Sequence, residues 1–451
     1  MGHKELIPPA TGNHRVWLRV GTLLDGISTQ PLRNAHVVYD RQQILFVSTE
    51  KSPPAELLNP GQREPDADLP EHTLLPGLIE AHAHLFLEGG ELNPDKRAAC
   101  LKQTPEELLK AAHPRLEKLL RIGVVAVRDA GDKDGVGLAL SKLYRSHRRE
   151  EANSSSDNVR EDRLLTSSPT RLNAMPYLDS PGAAIHHQGR YGSFMADPID
   201  DHASCHACVE SRVNAGADRI KLIPTGIINF KKGAVTTEPQ MTTEEIRELV
   251  AAAKSFGKQT FAHASGDVGI ERVIEGGVDT VEHGFFVRED QLAKMRDRQI
   301  GWVQTFAPVQ KQVDHFDIMG WDSEVISNLR RILDQHAASL AKAHTMGVQI
   351  IAGSDAGSYG VAHGVGFLYE LELMERAGVS PLSVINAATG VCSNRLGFHE
   401  KFGQIKPGYL SRFILTRHSP VNGIANLRKP KQVIFDGAIH ESGETPDVAG
   451  L

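Results

Sequence analysis

The sequence predicts an α/β protein: a (β/α)8 TIM barrel with a small β-sandwich module built from the two ends of the chain. From residue 74 to about residue 396, short apolar runs alternate with long helical patterns, the sign of repeated βα units around a parallel sheet. Eight such runs are expected to end near His84, Asp129, Asp179, Lys221, His263, His283, Phe306 and Asp355, the strand count of a closed barrel. Short alternating runs at both ends resemble one another and can pair beside it. The expected division is therefore 1–73 with 397–451 for the β module and 74–396 for the barrel.

In chain order, residues 16–20, 35–39 and 44–47 read as small antiparallel strands, broken by turns at Asp25-Gly26 and Asp40-Arg41. A polar, Pro-rich connection is expected over 51–70. Thr104-Pro105-Glu106-Glu107 and Thr242-Thr243-Glu244-Glu245 are capping boxes that open helices. Ser380-Pro381 opens another after the last barrel strand. The charged, Ser-rich stretch 146–163 reads as a solvated loop. Runs 403–405, 412–415 and 432–435 restore the strand pattern at the C-terminal end.

Composition narrows the function. Lys plus Arg total 50 against 56 for Asp plus Glu, a net charge of −6, which favours neither nucleic acid nor a membrane surface as partner. Four cysteines cannot form a disulfide framework in so long a chain. No apolar run approaches the roughly 18 residues of a membrane helix, and the first residues lack the apolar core of a signal peptide. The expectation is a soluble, reduced, cytoplasmic protein acting on a small molecule, with a homo-oligomer compatible with it. The 21 histidines prompt a search for metal ligands.

That search begins at Glu80-Ala81-His82-Ala83-His84. Histidines two apart on a strand share a face, so both can reach one ion; the alternative is a pair of surface histidines at a strand end. Lys221 interrupts the apolar run Ile220-Lys221-Leu222-Ile223. Burial would drive it toward the neutral amine, which can capture carbon dioxide as a carbamate; it could equally snorkel to the rim or pair with a carboxylate. His263 and His283 end two strands 20 residues apart, and Asp355 ends the eighth. Barrel enzymes keep their sites at such strand ends.

Together these residues resemble the amidohydrolase superfamily, above all the metal-dependent branch of imidazolonepropionase-like and cytosolic prolidase-like hydrolases. The resemblance covers the barrel and both flanking β segments. It implies metal ligands at His82, His84, Lys221, His263, His283 and Asp355. His82, His84 and Asp355 would hold one divalent ion, His263 and His283 a second, and carbamylated Lys221 would bridge them. Nitrogen and oxygen ligands without cysteine favour zinc. A hydroxide between the ions would attack the carbonyl, with Asp355 as proton shuttle and catalytic residue. The chain departs from the family pattern at Glu80, where aspartate is usual, in Leu222-Ile223-Pro224-Thr225-Gly226, and at Ser411-Arg412, where the family has Ala-Asp.

The loop 180–192 is expected to overhang the mouth. Arg190 could pair with a substrate carboxylate, and His187 or Tyr191 could stabilise an oxyanion; a structural turn is the alternative. Tyr359 and His363 are further pocket candidates. Cys205 and Cys208 read as ordinary cysteines on one helix. The expected activity is metal-dependent hydrolysis of an amide-type C–N bond in a dipeptide or N-acyl amino acid. A mononuclear cyclic-amide hydrolase or deaminase, and a non-catalytic scaffold, are the competing readings.

Overall fold

A computed structural model describes residues 7–153 and 175–446. The two ends of the chain meet in one seven-stranded sheet, ordered Ala438–Ser442, Lys431–Phe435, Arg412–Thr416, Ala67–Pro76, Val16–Leu23, Leu32–Tyr39, Ile44–Ser48. Hydrogen bonding thus joins strands from both ends of the chain into one continuous module, as expected. The seam is Ala67–Pro76, parallel to Val16–Leu23 and antiparallel to Arg412–Thr416. Alternation sends Val16, Leu18, Val20, Val37, Phe413 and Ile434 into one shared core.

Three expectations for this module are corrected. The connection 51–70 ends early, because the central strand already begins at Ala67. Its register with the first strand shifts opposite Gly21, where a Cβ would stand 1.7 Å from the Pro70 carbonyl oxygen. Residues 403–405 form no strand, since Gly403 has φ +81° and turns the chain, although Ile405 still enters the core. The strand Ala438–Ser442 was not anticipated. Its signal was Asp436-Gly437, whose φ values of 49° and 81° make a two-residue hairpin turn.

The middle of the chain is α/β. A three-stranded parallel sheet holds Leu78–Ala83, Val124–Asp129 and Tyr177–Asp179. A second sheet runs Ile350–Ile351, Gly301–Val303, Thr280–His283, Thr260–Ala264, Ile220–Leu222, Ala184–His186, Ala196–Pro198. Backbone bonds bridge both gaps between them. Ala81 N donates to Ala352 O (3.1 Å), Asp355 N to His82 O (2.7 Å) and His84 N to Ala356 O (2.7 Å) on one side. Asp218 N donates to Ser180 O (2.8 Å) on the other. Side chains of both sheets share one core with the surrounding helices.

Both predicted capping boxes are formed, at the starts of helices Pro105–Arg121 and Thr243–Ser255. The seventh expected strand stops at Val303, short of Phe306, because Thr305 turns at φ 47° and Phe306 caps the helix Ala307–Asp314. The loop after Asp179 is itself partly strand: the chain turns at Gly182 (φ 61°) and resumes as Ala184–His186. The expected loop 146–163 is helical to residue 153, the end of Val136–Asn153, because Arg148, Arg149, Glu150 and Glu151 are good helix formers. Its remainder, 154–163, lies outside the described residues.

Arg412, one of the departures from the family pattern, ties the module to the rest of the chain. Its buried guanidinium grips Asp436 through Nε–Oδ1 (2.8 Å) and Nη2–Oδ2 (2.7 Å), lies 4.2 Å from the Phe435 ring centroid, and reaches the Tyr144 hydroxyl at 3.3 Å. Replacing Asp436 by Asn keeps a residue tolerant of positive φ and leaves the buried cation with one carboxylate, that of Glu400, at 3.8 Å. The expected loss is therefore below the roughly 3–5 kcal/mol of a fully orphaned buried charge, read as a lower urea midpoint; an unchanged midpoint would deny Arg412 this role.

Candidate functional site

His82 and His84 stand at the end of Leu78–Ala83, and both are buried. Their Nε2 atoms lie 3.8 and 3.5 Å from Asp355 Oδ1. The His283 ring centroid is 5.0 Å from that of His82, and His263 follows 4.6 Å from His283. Lys221 is buried beside them, its Nζ 4.6 Å from the Phe261 ring centroid. Glu80 explains its own presence: its carboxylate accepts from Ser354 N (2.9 Å), Ser354 Oγ (2.5 Å) and His82 N (3.1 Å), locking the His82 strand to the turn that carries Asp355.

Backbone strain helps to aim two of these groups. His283 and Asp355 have φ values of 67° and 57°, in the left-handed region that side chains other than glycine seldom adopt. Such conformations persist only where the surroundings impose them, and they cluster at functional sites.

Each imidazole has one nitrogen committed. His82 Nδ1 bonds Glu282 Oε2 (2.5 Å), His84 Nδ1 the Gly131 carbonyl (3.1 Å), and His283 Nδ1 the Thr305 hydroxyl (2.7 Å). These three rings keep Nε2 for the shared space. His263 is reversed: its Nε2 bonds the Gly226 carbonyl (3.3 Å), which leaves Nδ1.

Burial dominates the electrostatics. It holds all four histidines below their ordinary pKa, His84 and His263 down to about 3, with the Lys221 charge adding to the effect. The rings are therefore neutral at pH 7 and their lone pairs are free to bind a cation. Burial also lowers Lys221 to about 8 and raises Asp355 to about 7.

This donor set suits a divalent metal. His82 Nε2 is fully buried and has no hydrogen-bond partner, a cost of about 1–3 kcal/mol that a bound cation would remove. Ligand atoms of His82, His283 and Asp355 lie within 4.8 Å of one another. Imidazole nitrogens with carboxylate oxygens are the ligands of a zinc-type centre.

The expected substrate residues divide. Both ring nitrogens of His187 are engaged, Nδ1 with Asp200 (3.2 Å) and Nε2 with Glu245 (3.1 Å), so it clamps its loop to the start of the helix Thr243–Ser255 rather than standing as a free donor. Arg190 and Tyr191 line a cavity of about 350 Å³ with Gly226, Ile227, Asn229 and Gln240. That cavity adjoins the histidines, since the Tyr191 ring lies 5.4 Å from the His263 ring and Gly226 is the partner of His263. Arg190 donates to the Glu238 carbonyl (2.6 Å). Tyr359 and His363 bond the Leu92 and His84 carbonyls and brace loops. Cys205 and Cys208 lie on the helix Cys205–Ala215 and are unpaired thiols.

Sequence reasoning passed over three residues here. Glu282 and Arg128, both buried, sit directly behind His82, and Thr305 orients His283. The signal available was a charge inside an apolar strand, in Thr280-Val281-Glu282-His283 and in Val124-Val125-Ala126-Val127-Arg128.

Ochratoxinase of Aspergillus niger is 24% identical over 95% of this chain and 87% of its own length. The crystal structure of a Xaa-Pro dipeptidase with methionine bound in its active site superposes with a TM-score of 0.73 at 25% identity, covering 95% of this chain and 100% of the other. A prolidase complexed with N-methylphosphonate-L-proline gives 0.72 at 20% identity, over 95% of this chain and 100% of the other. The profile of the amidohydrolase family matches residues 73–439. A match over most of the sequence, meeting in space around buried imidazoles, makes this chain a member of the amidohydrolase family.

Proposed function

We propose that this protein hydrolyses an amide-type C–N bond in a dipeptide or N-acyl amino acid, at a centre of two divalent ions. The observation that carries this reading is the buried, partnerless His82 Nε2 among neutral imidazoles and the Asp355 carboxylate. The Xaa-Pro dipeptidase and prolidase among the similar folds support the choice of substrate.

His82, His84 and Asp355 would hold one ion and His263 and His283 the other. Zinc is the metal we assign. Lys221 would bridge them as a carbamate, formed when its neutral amine bonds the carbon of CO2 and releases a proton. Bound ions would acidify a water and polarise the scissile carbonyl. Asp355 would take the proton of the attacking water and hand it to the leaving nitrogen as the C–N bond breaks.

The cavity beside His263 would receive the part of the substrate that carries a carboxylate, with Arg190 as its counter-charge and Tyr191 as a wall. We also infer that the two parallel sheets close into one eight-stranded barrel, in which Tyr177–Asp179 and Ala184–His186 are two parts of one strand and Ala196–Pro198 lies outside the count. The bonds across both gaps support this, as does the reach of Glu282, in one sheet, to His82 and Arg128 in the other. The module 1–73 with 397–451 and the barrel 74–396 are the corresponding units.

A second reading places a single ion on His82, His283 and Asp355, whose ligand atoms lie within 4.8 Å of one another. Metal analysis decides between them: two ions per chain support the first, one the second. A screen of metal-analysed protein against dipeptides and N-acyl amino acids tests the substrate class, and turnover of none rejects it. Lys221→Ala is expected to abolish turnover and lower metal content; full loading with unchanged rate would remove the bridging role. Asp355→Asn should cut kcat by about 10²–10⁴-fold, measured at saturating substrate; a smaller loss would move the proton shuttle elsewhere. A chelator should stop activity, and zinc should restore it.

A further inference from the structure

Behind His82 lies a buried pair that the proposed chemistry does not use. Glu282 points from Thr280–His283 and Arg128 from Val124–Asp129, strands of different sheets, and both side chains are essentially inaccessible. Glu282 Oε2 accepts from His82 Nδ1 at 2.5 Å and from Arg128 Nη2 at 2.8 Å, while Oε1 accepts from the Thr280 hydroxyl at 2.5 Å. Arg128 also donates through Nε to the Ala81 carbonyl (2.6 Å) and through Nη1 to Thr280 Oγ1 (2.9 Å), with its plane 4.5 Å from the Phe261 ring centroid. The pair therefore fixes His82 twice: the carboxylate holds the ring, and the guanidinium holds the backbone one residue before it.

We propose that Glu282 and Arg128 are positioning residues that aim His82 Nε2 and set its donor strength, so that retention of one metal ion depends on a pair touching neither metal nor substrate. This inference rests on the reading of His82 as a ligand. A carboxylate that accepts the far N–H of an imidazole fixes its tautomer and makes the free nitrogen a stronger donor. Unaided, such a carboxylate would add a buried negative charge; Arg128 compensates it. Lys221 is the other cation whose charge acts on Glu282. Conversion of Lys221 to a carbamate reverses that charge, and Arg128 then carries the compensation. A role as fold glue alone is the rival explanation, but buried ion pairs are often no more stabilising than the apolar residues they displace.

The test uses the full chain, loaded with zinc or cobalt(II). Competition against a chromogenic chelator gives the affinity of each ion, and the cobalt absorption band reports the ligand field. Glu282→Gln should weaken one ion by about 10–100-fold and shift the band. That variant leaves Arg128 buried and unpaired, so Glu282→Gln with Arg128→Met is measured beside it and should show the same loss in a folded chain. Arg128→Lys keeps the charge but loses the fork, and should weaken the same ion less. Folded variants that retain both ions with wild-type affinity and an unaltered band overturn the proposal. A His82→Asn variant that keeps both ions refutes the ligand reading instead.

Discussion

An imidazole lone pair with nothing to accept from is an expensive thing to bury, and the site is organised around one. His82 Nε2 is kept dry by the same packing that holds its neighbours neutral. Three buried rings, the half-buried His263, a lysine and a carboxylate share a volume in which desolvation opposes every charge. Neutral imidazole is the ligating form, so the apolar surroundings prepare the donors before any cation arrives. The backbone contributes in the same sense. His283 and Asp355 occupy conformations costing of order 1–3 kcal/mol each, held by bonds such as Asp355 N to His82 O.

The second half of the site is a set of groups that touch the ligands from behind. Glu80 binds the His82 strand to the Asp355 turn, Thr305 orients His283, and Gly131 and Gly226 offer carbonyls to His84 and His263. Gly226 belongs at once to the cavity wall and to the His263 bond, so the cavity and the ligand cluster are built from one loop.

Much of the fold could be read directly. Capping boxes at Thr104 and Thr242 are local hydrogen-bond motifs, and they form where they are written. Strand ends at Asp129, Asp179 and His283 were legible because apolar runs stop there. What failed depended on tertiary contacts. The strand from Ala67 is polar on its outward positions and exists because two partners flank it. The helix through residue 153 was hidden by charge that reads equally as loop. In the site, types and spacing brought His82, His84, His263, His283, Lys221 and Asp355 into view together. They could not reveal that His187 is held between Asp200 and Glu245, or that Glu282 stands behind His82, because both depend on distant strands and loops meeting.

The seam of the seven-stranded sheet bears on how the molecule is made. Ala67–Pro76 needs Arg412–Thr416 along one edge, and more than three hundred residues separate them. At about 5–20 residues per second, translation leaves that edge open for some tens of seconds. A naked strand edge invites pairing with other nascent chains. The module can therefore be completed only after the last strands leave the ribosome, and the N-terminal strands wait on a partner not yet synthesised.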